Sequence, residues 1–557
     1  MCGIAGFIAR RPEHDGAALV RDMLDRLGHR GPDQTGVAGH GGVTLGMVRL
    51  SIISCQQDVI PYEDADHRAV ITYNGEAYDH EDIRRQLESG YDFLTESDAE
   101  TILVNYLRKG TESFGDYNGM YAFALHDKAE DVVYLVRDKV GEKPLYYVQT
   151  PDGLAFASEI KALLLLVEPK FNEECASYRA YEFNVGEQTV FKDVYCIQPG
   201  EYLRVRVRDL SVTRHSYWKI WDNLIDVPDD IDRIESDLTD LLVDAMELRT
   251  RNCVHQYAAF ISGGVDSSMV ACITKPDHIL HCHYPLGPDF DEFNYAKMVA
   301  DHIGRELVLV EPTPDDFERV RHKLAYHLDT PCTWTSFSLW CLLERAKGMG
   351  VKVFLTGDGA DEIFGGYHRY HLLHNDEQIH KLEAMAQYSY LIQKYYGSPV
   401  DRYMKLVNRC DDPYDRGVGE YLQETIGRYF DKTNGDVLHG MCMHDFYTTM
   451  QVLLQMSDRV SMAFSVENRS PFLDYRLVQY MFSLASKYKI NAGCTKWIFK
   501  RIARKFIPVE IADRVDKRGF SAPLNKWYGW DRHGKYDRSA YRTLAFKDWA
   551  EVFHVRC

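Results

Sequence analysis

Ala258-Ala259-Phe260-Ile261-Ser262-Gly263-Gly264-Val265-Asp266-Ser267-Ser268 decides the fold of the second half of this chain. Four apolar residues read as a buried strand, Ser-Gly-Gly as its turn, and the run after it as a helix. The glycines let backbone N–H groups converge, the hydroxyls add donors, and the helix N-terminus favours an anion. This is a phosphate cradle without the lysine of a Walker A loop. Gly-Gly alone would be only a turn; the full run after an apolar strand is specific. Val351 to Leu355 repeats the plan and leads into Thr356-Gly357-Asp358-Gly359-Ala360-Asp361-Glu362. Strand, Gly turn, helix is the grammar of a doubly wound parallel α/β sheet. Acidic groups beside a phosphate loop suggest Mg²⁺ held by carboxylates and phosphate oxygens, although such acids standing alone would read as helix caps.

Upstream, Ile231, Ile234, Leu238, Leu241, Leu242 and Ala245 recur at three- and four-residue steps, which predicts a helix. The stretch Trp218 to Asp232, with Pro228 and several aspartates, reads as a boundary. The first two hundred residues carry short apolar runs (Val43 to Val48, Ala69 to Tyr73, Met120 to Leu125, Val132 to Val136, Gly153 to Ala157) and predict sheets. Two helices are expected among them: amphipathic Ala17 to Leu27, and Asp98 to Leu107 behind a capping box at Ser97-Asp98-Ala99-Glu100. From about residue 375 helical periodicity dominates. The expected division is 1–215, a linker at 216–232, 233–530, and a tail at 531–557.

The chain has 557 residues, room for about two to four domains of ordinary size. At 45% hydrophobic and 27% charged it has ample apolar material for large cores, which excludes a largely disordered chain. A net charge of −18 argues against nonspecific nucleic-acid binding. No run approaches a membrane span, and no secretory signal opens the chain. Thirteen cysteines without a CxxC pair suit free thiols in a reducing cytosol and give no zinc spacing.

Cys2 is the first candidate nucleophile. With Met1 removed it bears both a thiol and an α-amine, and an amine of pKa near 8 can serve as base for its own side chain. Position 2 alone is weak; an incidental thiol is the plain alternative. His29 to Asp33 is a charged turn. Arg49 opens the apolar run Leu50-Ser51-Ile52-Ile53. Tyr73-Asn74-Gly75-Glu76 ends a strand with an amide and a sterically open N–H. Ser97-Asp98 opens a helix. Each alone is a turn, a surface charge or an N-cap. Together they supply an amidase for a free amino acid: Arg49 to fork onto an α-carboxylate, Asp98 to hold an α-ammonium, Asn74 and the Gly75 N–H as an oxyanion hole.

Met1 to Gly6, His29 to Asp33, Asn74 to Glu76 and Ser97-Asp98 resemble the class II glutamine amidotransferase domain. So do Gly119 to Ala124, Arg137 to Lys139 with Lys143 to Tyr147, and Phe156 to Lys161. That resemblance implies an N-terminal-nucleophile hydrolase, an αββα sandwich in which Cys2 attacks the glutamine amide, ammonia leaves and water releases glutamate. Glutamine would be bound by Arg49, Leu50, Ser51, Ile52, Ile53, Asn74, Gly75, Glu76 and Asp98. Ser262 to Ser268 resembles the pyrophosphate loop of N-type ATP pyrophosphatases. Thr356 to Tyr367, Ser457 to Ala463, Glu467 to Asp474 and Lys517 to Pro523 resemble signatures of asparagine synthetases. That resemblance implies ATP on Ile261, Ser262, Gly263, Gly264, Asp266, Ser267, Ser268, Thr356 and Gly357. It also implies Mg²⁺ on Asp266 and Asp361, acid–base duty on Asp358, and Lys496 beside an acyl-adenylate.

The combined resemblance implies a cytoplasmic, glutamine-dependent, AMP-forming amide synthetase that turns aspartate into asparagine with channelled ammonia. It allows a homodimer and calls for no nucleic-acid or membrane partner. Two segments depart from the family pattern. His281-Cys282-His283-Tyr284-Pro285-Leu286-Gly287 replaces a small apolar strand, and Asp329 to Ser336 matches an Asp-Glu-Pro segment only loosely, with Trp334 near an expected Asp. The paired histidines read as core or pocket residues rather than as a metal site. An acceptor other than aspartate is one alternative. A noncatalytic paralogue is another, opposed by the joint presence of Cys2, Asp266, Asp361 and Lys496. A phosphoribosyl pyrophosphate transferase is opposed by the Ser262 loop.

Overall fold

The structure, a computed structural model, describes residues 2–11, 16–52, 59–175, 182, 186–251, 253–287, 290–333, 335–374, 398–407, 416–515, 522–530 and 539–555. Its first half stacks two six-stranded sheets. One sheet runs Tyr195–Cys196, Tyr146–Gln149, Gly153–Ala157, Cys2–Ala9, Val43–Arg49, Gln34–His40. The other runs Val212–Ser216, Glu201–Arg206, Val132–Arg137, Gly119–Asp127, Ala69–Ala77, Tyr62–Glu63. All pairings in both are antiparallel.

Strand alternation explains the layering. Ile4 and Ile8 turn inward with Leu45 and Met47 to meet Ile71, Phe123 and Leu135 of the other sheet. Ala5, Phe7 and Ala9 turn outward onto Val20, Met23, Leu24 and Leu27. Those four lie on one face of the helix Ala17–Leu27, which has the expected bounds. The helix Asp98–Lys109 covers the second sheet with Ile102, Leu103 and Tyr106. The result is the αββα sandwich.

The second half contains a five-stranded, wholly parallel sheet in the order Leu307–Val310, His278–Cys282, Tyr257–Phe260, Val353–Leu355, Glu467–Arg469. Ala259, Ile279 and Leu355 face one apolar cluster; Ala258, Leu280 and Phe354 face another. Helices therefore cover both faces, as in doubly wound sheets. The chain first builds Tyr257–Phe260, extends to one side, then returns to add Val353–Leu355 on the other. The reversal opens a crevice between these two strands, beyond their carboxyl ends, where such folds bind ligands.

The helix expected from Ile231 spans Ile231–Thr250, N-capped by Asp230, whose side chain accepts from Asp232 and Arg233 N–H. Helices also dominate beyond residue 398. The helix Ser539–Phe553, within the stretch expected as a tail, lies against the N-terminal sandwich. Trp549 is fully buried near Phe191, their ring centroids 5.0 Å apart, and its indole N–H donates to the Asp329 carbonyl at 3.1 Å. Among the described residues, no helix is long and apolar enough to cross a membrane.

One expectation is corrected. Ser97 caps its helix by accepting from Ala99 N–H at 3.2 Å, but Glu100 turns back to Leu94 and Thr95 instead of closing a box with Ser97. Tyr73 to Glu76 does come at the end of a strand, Ala69–Ala77, whose last pair is Ala77 opposite Gly119. Gly75 stands opposite Tyr121 with no room for a side chain, since a Cβ would lie 2.3 Å from the Met120 carbonyl oxygen. Glycine is needed there for close approach of the neighbouring strand.

Candidate functional site

Cys2 begins the central strand of the first sheet, opposite Arg49, and is buried. Its backbone N–H donates to Asn74 Oδ1 at 3.0 Å, across from the other sheet. The Asn74 amide nitrogen, the other end of that side chain, is buried without a hydrogen-bond partner among the described residues. Burial pushes the Cys2 thiol up; the chain's amino group, a hydrogen bond from Leu50 and the charge of Arg49 pull it back. The resting group is therefore a thiol that needs a base.

The other expected amide-site residues gather nearby with different degrees of engagement. Arg49 Nη1 lies 3.5 Å from Gln34 Oε1. Ser51 donates its N–H to Asp33 at 2.8 Å, and Leu50 and Ile52 turn into a small apolar cluster. Asp98 accepts from the Tyr73 hydroxyl at 2.7 Å and from Ala77 N–H at 2.9 Å through one oxygen, and from Ala99 N–H through the other. Burial and the charge of Asp98 push the Glu76 carboxyl well up, with Arg469 opposing at 3.6 Å. Ile53 lies outside the described residues.

In the sequence Arg30 is only part of a charged turn. In the fold its guanidinium is fully buried and donates to the Cys2 carbonyl through Nε at 3.0 Å. Glu159, likewise buried, joins Arg30, Arg459 and Lys161. All four lie in runs that the resemblance marks, but their pairing is not legible there, because the partners arrive from distant segments.

At the crevice of the parallel sheet, Ile261 leads into a loop tied by its own serines. Ser262 N–H donates to Ser267 Oγ at 3.1 Å, Gly264 N–H to Ser262 Oγ at 3.3 Å, and Ser268 Oγ to the Gly264 carbonyl at 2.7 Å. Gly263 has φ +75°, in the left-handed region. The helix Val265–Thr274 starts here without a side-chain cap, so its first N–H groups face the loop's concavity. Arg514, which no sequence motif marks, donates to the Gly263 carbonyl at 3.0 Å and pairs with Glu292.

The second loop meets the first: a Cβ on Gly357 would lie 3.0 Å from the Asp266 Cβ. Lys496 Nζ lies 2.5 Å from Asp266 and 2.6 Å from Asp361. Carboxylates from both loops thus converge on one cationic point. Asp358 Oδ2 accepts from Ser457 at 2.8 Å and Thr356 at 3.0 Å, while burial pushes its carboxyl up. Nearby, His281 is buried and donates from Nδ1 to the Ile261 carbonyl at 2.7 Å, and His283 pairs with Asp291. Trp334 and Lys517 to Ser521 lie outside the described residues.

Between the centres, Leu50, Ile52, Tyr78, Met120, Leu248, Val353 and Met462 form one buried apolar cluster. It runs from beside Cys2 to the strand that carries Thr356.

Residues 237–548 match the asparagine synthase family model, and residues 1–218 match that of the glutamine amidotransferase domain. The chain is 28% identical to asparagine synthetase [glutamine-hydrolyzing] 1 of Bacillus subtilis, covering 95% of this chain and 88% of the relative. It is 29% identical to asparagine synthetase B of Escherichia coli over 70% of this chain and 69% of that one. Amidase chry2 of Gibberella zeae is 26% identical, over 99% and 93% respectively.

Proposed function

The chain belongs to the asparagine synthase family, and from that premise we propose that this glutamine-dependent, ATP-consuming ligase makes asparagine from aspartate. The observation that carries the reading is the buried apolar cluster between a Cys2 centre and a pair of phosphate-type loops. Apolar surroundings between the two centres would keep ammonia neutral and away from solvent as it passes.

In the amide centre, with Met1 removed, the Cys2 α-amine takes the thiol proton as the sulfur attacks the glutamine side-chain carbonyl, and returns it to the departing nitrogen. Asn74 Nδ2 and the Gly75 N–H take the oxyanion; Arg49 and Asp98 hold the amino-acid end, alongside Leu50, Ser51, Ile52, Ile53 and Glu76. Ammonia leaves, and water cleaves the thioester to give glutamate. In the second centre, the β-carboxylate of aspartate attacks the α-phosphorus of ATP and pyrophosphate leaves. Ammonia then attacks the acyl carbon of β-aspartyl-AMP and AMP leaves. The loop from Ile261 to Ser268, with Thr356 and Gly357, cradles the nucleotide. Lys496 is placed to balance charge that builds at the acyl centre, and Asp358 to accept a proton there.

The convergence of Asp266 and Asp361 on one cationic point fits a divalent ion. These two carboxylates would hold Mg²⁺, which when bound supplies neutralisation of the phosphate charge. The two reactions call for glutamine, ATP and aspartate as partners. We assign the two activities to 1–215 and 233–530, joined by 216–232.

Cys2→Ala tests the reading. It should abolish glutamate release from glutamine, yet leave pyrophosphate release with added ammonium salt; loss of both would break the two-centre scheme. Asp266→Asn should reverse the pattern, stopping pyrophosphate release while glutaminase persists.

A second reading keeps the chemistry and changes the acceptor. His281 on the strand beside the phosphate loop and His283 just after it favour it, as does the kinship to a protein named an amidase. Screening carboxylic acids for ATP–pyrophosphate exchange separates the two: silence with aspartate and signal with another acid would replace asparagine as the product.

A further inference from the structure

The helix Thr449–Met462 presents two adjacent side chains to two different centres. Ser457 donates to Asp358 Oδ2 at 2.8 Å, in the turn just before the short helix that carries Asp361. Asp458 takes both terminal nitrogens of Arg30, Nη1 at 2.8 Å and Nη2 at 3.1 Å. The remaining Arg30 nitrogen holds the Cys2 carbonyl at 3.0 Å. Lys143 Nζ lies 3.6 Å from Asp458, and Glu159 shares Arg30 Nη1. Consecutive helical residues diverge by about 100°, so one rigid turn can face both ways. Arg30, Ser457 and Asp458 are 0%, 3% and 2% exposed, which leaves water no part in replacing these contacts.

We propose that Asp458 is a positioning residue that ties occupancy of the ATP loops to the geometry of Cys2. The proposal rests on the reading above, in which Cys2 takes glutamine and the paired loops take ATP. A nucleotide and its cation entering between Asp266 and Asp361 must part the contact that Lys496 makes with both. Asp358 lies three residues before Asp361, in the turn that leads into the short helix Ala360–Phe364. Its displacement pulls on Ser457, and the stiff helical turn passes that to Asp458 and through the Arg30 fork to the Cys2 backbone. The bidentate pair transmits direction as well as distance, which a single hydrogen bond would not.

The readout is alkylation of Cys2 in the full-length protein by 6-diazo-5-oxo-L-norleucine, a reactive glutamine analogue, with and without Mg-ATP. In the wild type, Mg-ATP should change the rate by about fivefold or more, the lower range of typical site–site coupling. In Asp458→Asn the two rates should agree within about twofold, and Asp458→Glu, which keeps the charge, should recover part of the difference. Ser457→Ala breaks the link at its other end while sparing the buried ion pair. It should show the same loss, and it carries the test if Asp458→Asn does not fold. A pair that merely glues the halves together would change the amount of folded protein and leave the rate ratio untouched. An undiminished ratio in the variants, or a wild type indifferent to Mg-ATP, overturns the proposal alone. A wild type whose Cys2 is never labelled overturns the proposed function, and this inference with it.

Discussion

Asn74 shows how one side chain serves two demands. Its oxygen is spent on the Cys2 N–H, and its nitrogen has no partner among the described residues. A buried amide donor left over in this way costs stability unless a ligand completes it. Asn74→Ala should therefore lower kcat for glutamate release by about 10²- to 10³-fold, the usual cost of one oxyanion donor, while ammonia-supported synthesis continues. Glu142 presents a different case. Its carboxyl ionises near 4.5 in an unfolded chain, but burial pushes it up to about 8 in the fold. Folding thus disfavours its ionised form. Its contribution to stability is complete below pH 4.5 and is lost as pH rises towards 8. Glu142→Gln should raise the melting temperature at pH 7 to 8, by up to about 3 kcal/mol of stability at pH 7, and change nothing at pH 4. A melting curve at each pH decides. That Cys2, Asn74 and Asp98 would lie together was legible in the sequence because each sits in a short, chemically specific run. Arg30 was not, because a charged turn and a buried fork look alike until the fold supplies the carboxylates.

At the scale of elements, apolar periodicity located strands well and their ends less so. Ala69 to Tyr73 reads as a strand because its residues are apolar; the strand persists to Ala77 because backbone pairing needs no apolar side chain, only a neighbour. Ser97 is a similar lesson in reverse: the capping residue was legible, but its box partner Glu100 is drawn off by Thr95 and Leu94. The loop after Val353–Leu355 is shaped by glycines more than by its acids. Gly359 has φ +88° and no space beside Leu473, and a Cβ on Gly366 would stand 1.9 Å from Asp361 Oδ1 and 2.1 Å from Lys496 Cε. Gly366→Ala should push the Asp361–Lys496 contact apart and lower ATP–pyrophosphate exchange at least tenfold, well beyond any change in glutaminase. Equal losses in both activities would mean that the loop acts on the fold rather than on the ATP centre.

Across the whole molecule, the two halves share buried charge. Glu159 is fully enclosed among Arg30 and Lys161 of its own half and Arg459 of the other. Removing one member of such a set strands the others, at a cost of about 3–5 kcal/mol. Glu159→Gln should lower thermal stability by that order and should do so for both halves in a single calorimetric transition; two transitions with one unmoved would refute a shared interior. Two glycine-rich loops and a nucleophile were readable as two domains, whereas the joint between them was not: Arg30 and Asp458 are 428 positions apart, and no local pattern links them. The last helix makes the same point physically. Trp549 and Phe553 fill the outer layer of a sandwich built from the opposite end of the chain, and Asp548 pairs with Arg321 on the way. That helix works as a keystone. Coexpressing the halves as separate polypeptides cut near residue 225 would leave each bearing a socket or a plug meant for the other, so a soluble amidase fragment would have to be redesigned along that exposed wall before it could stand alone.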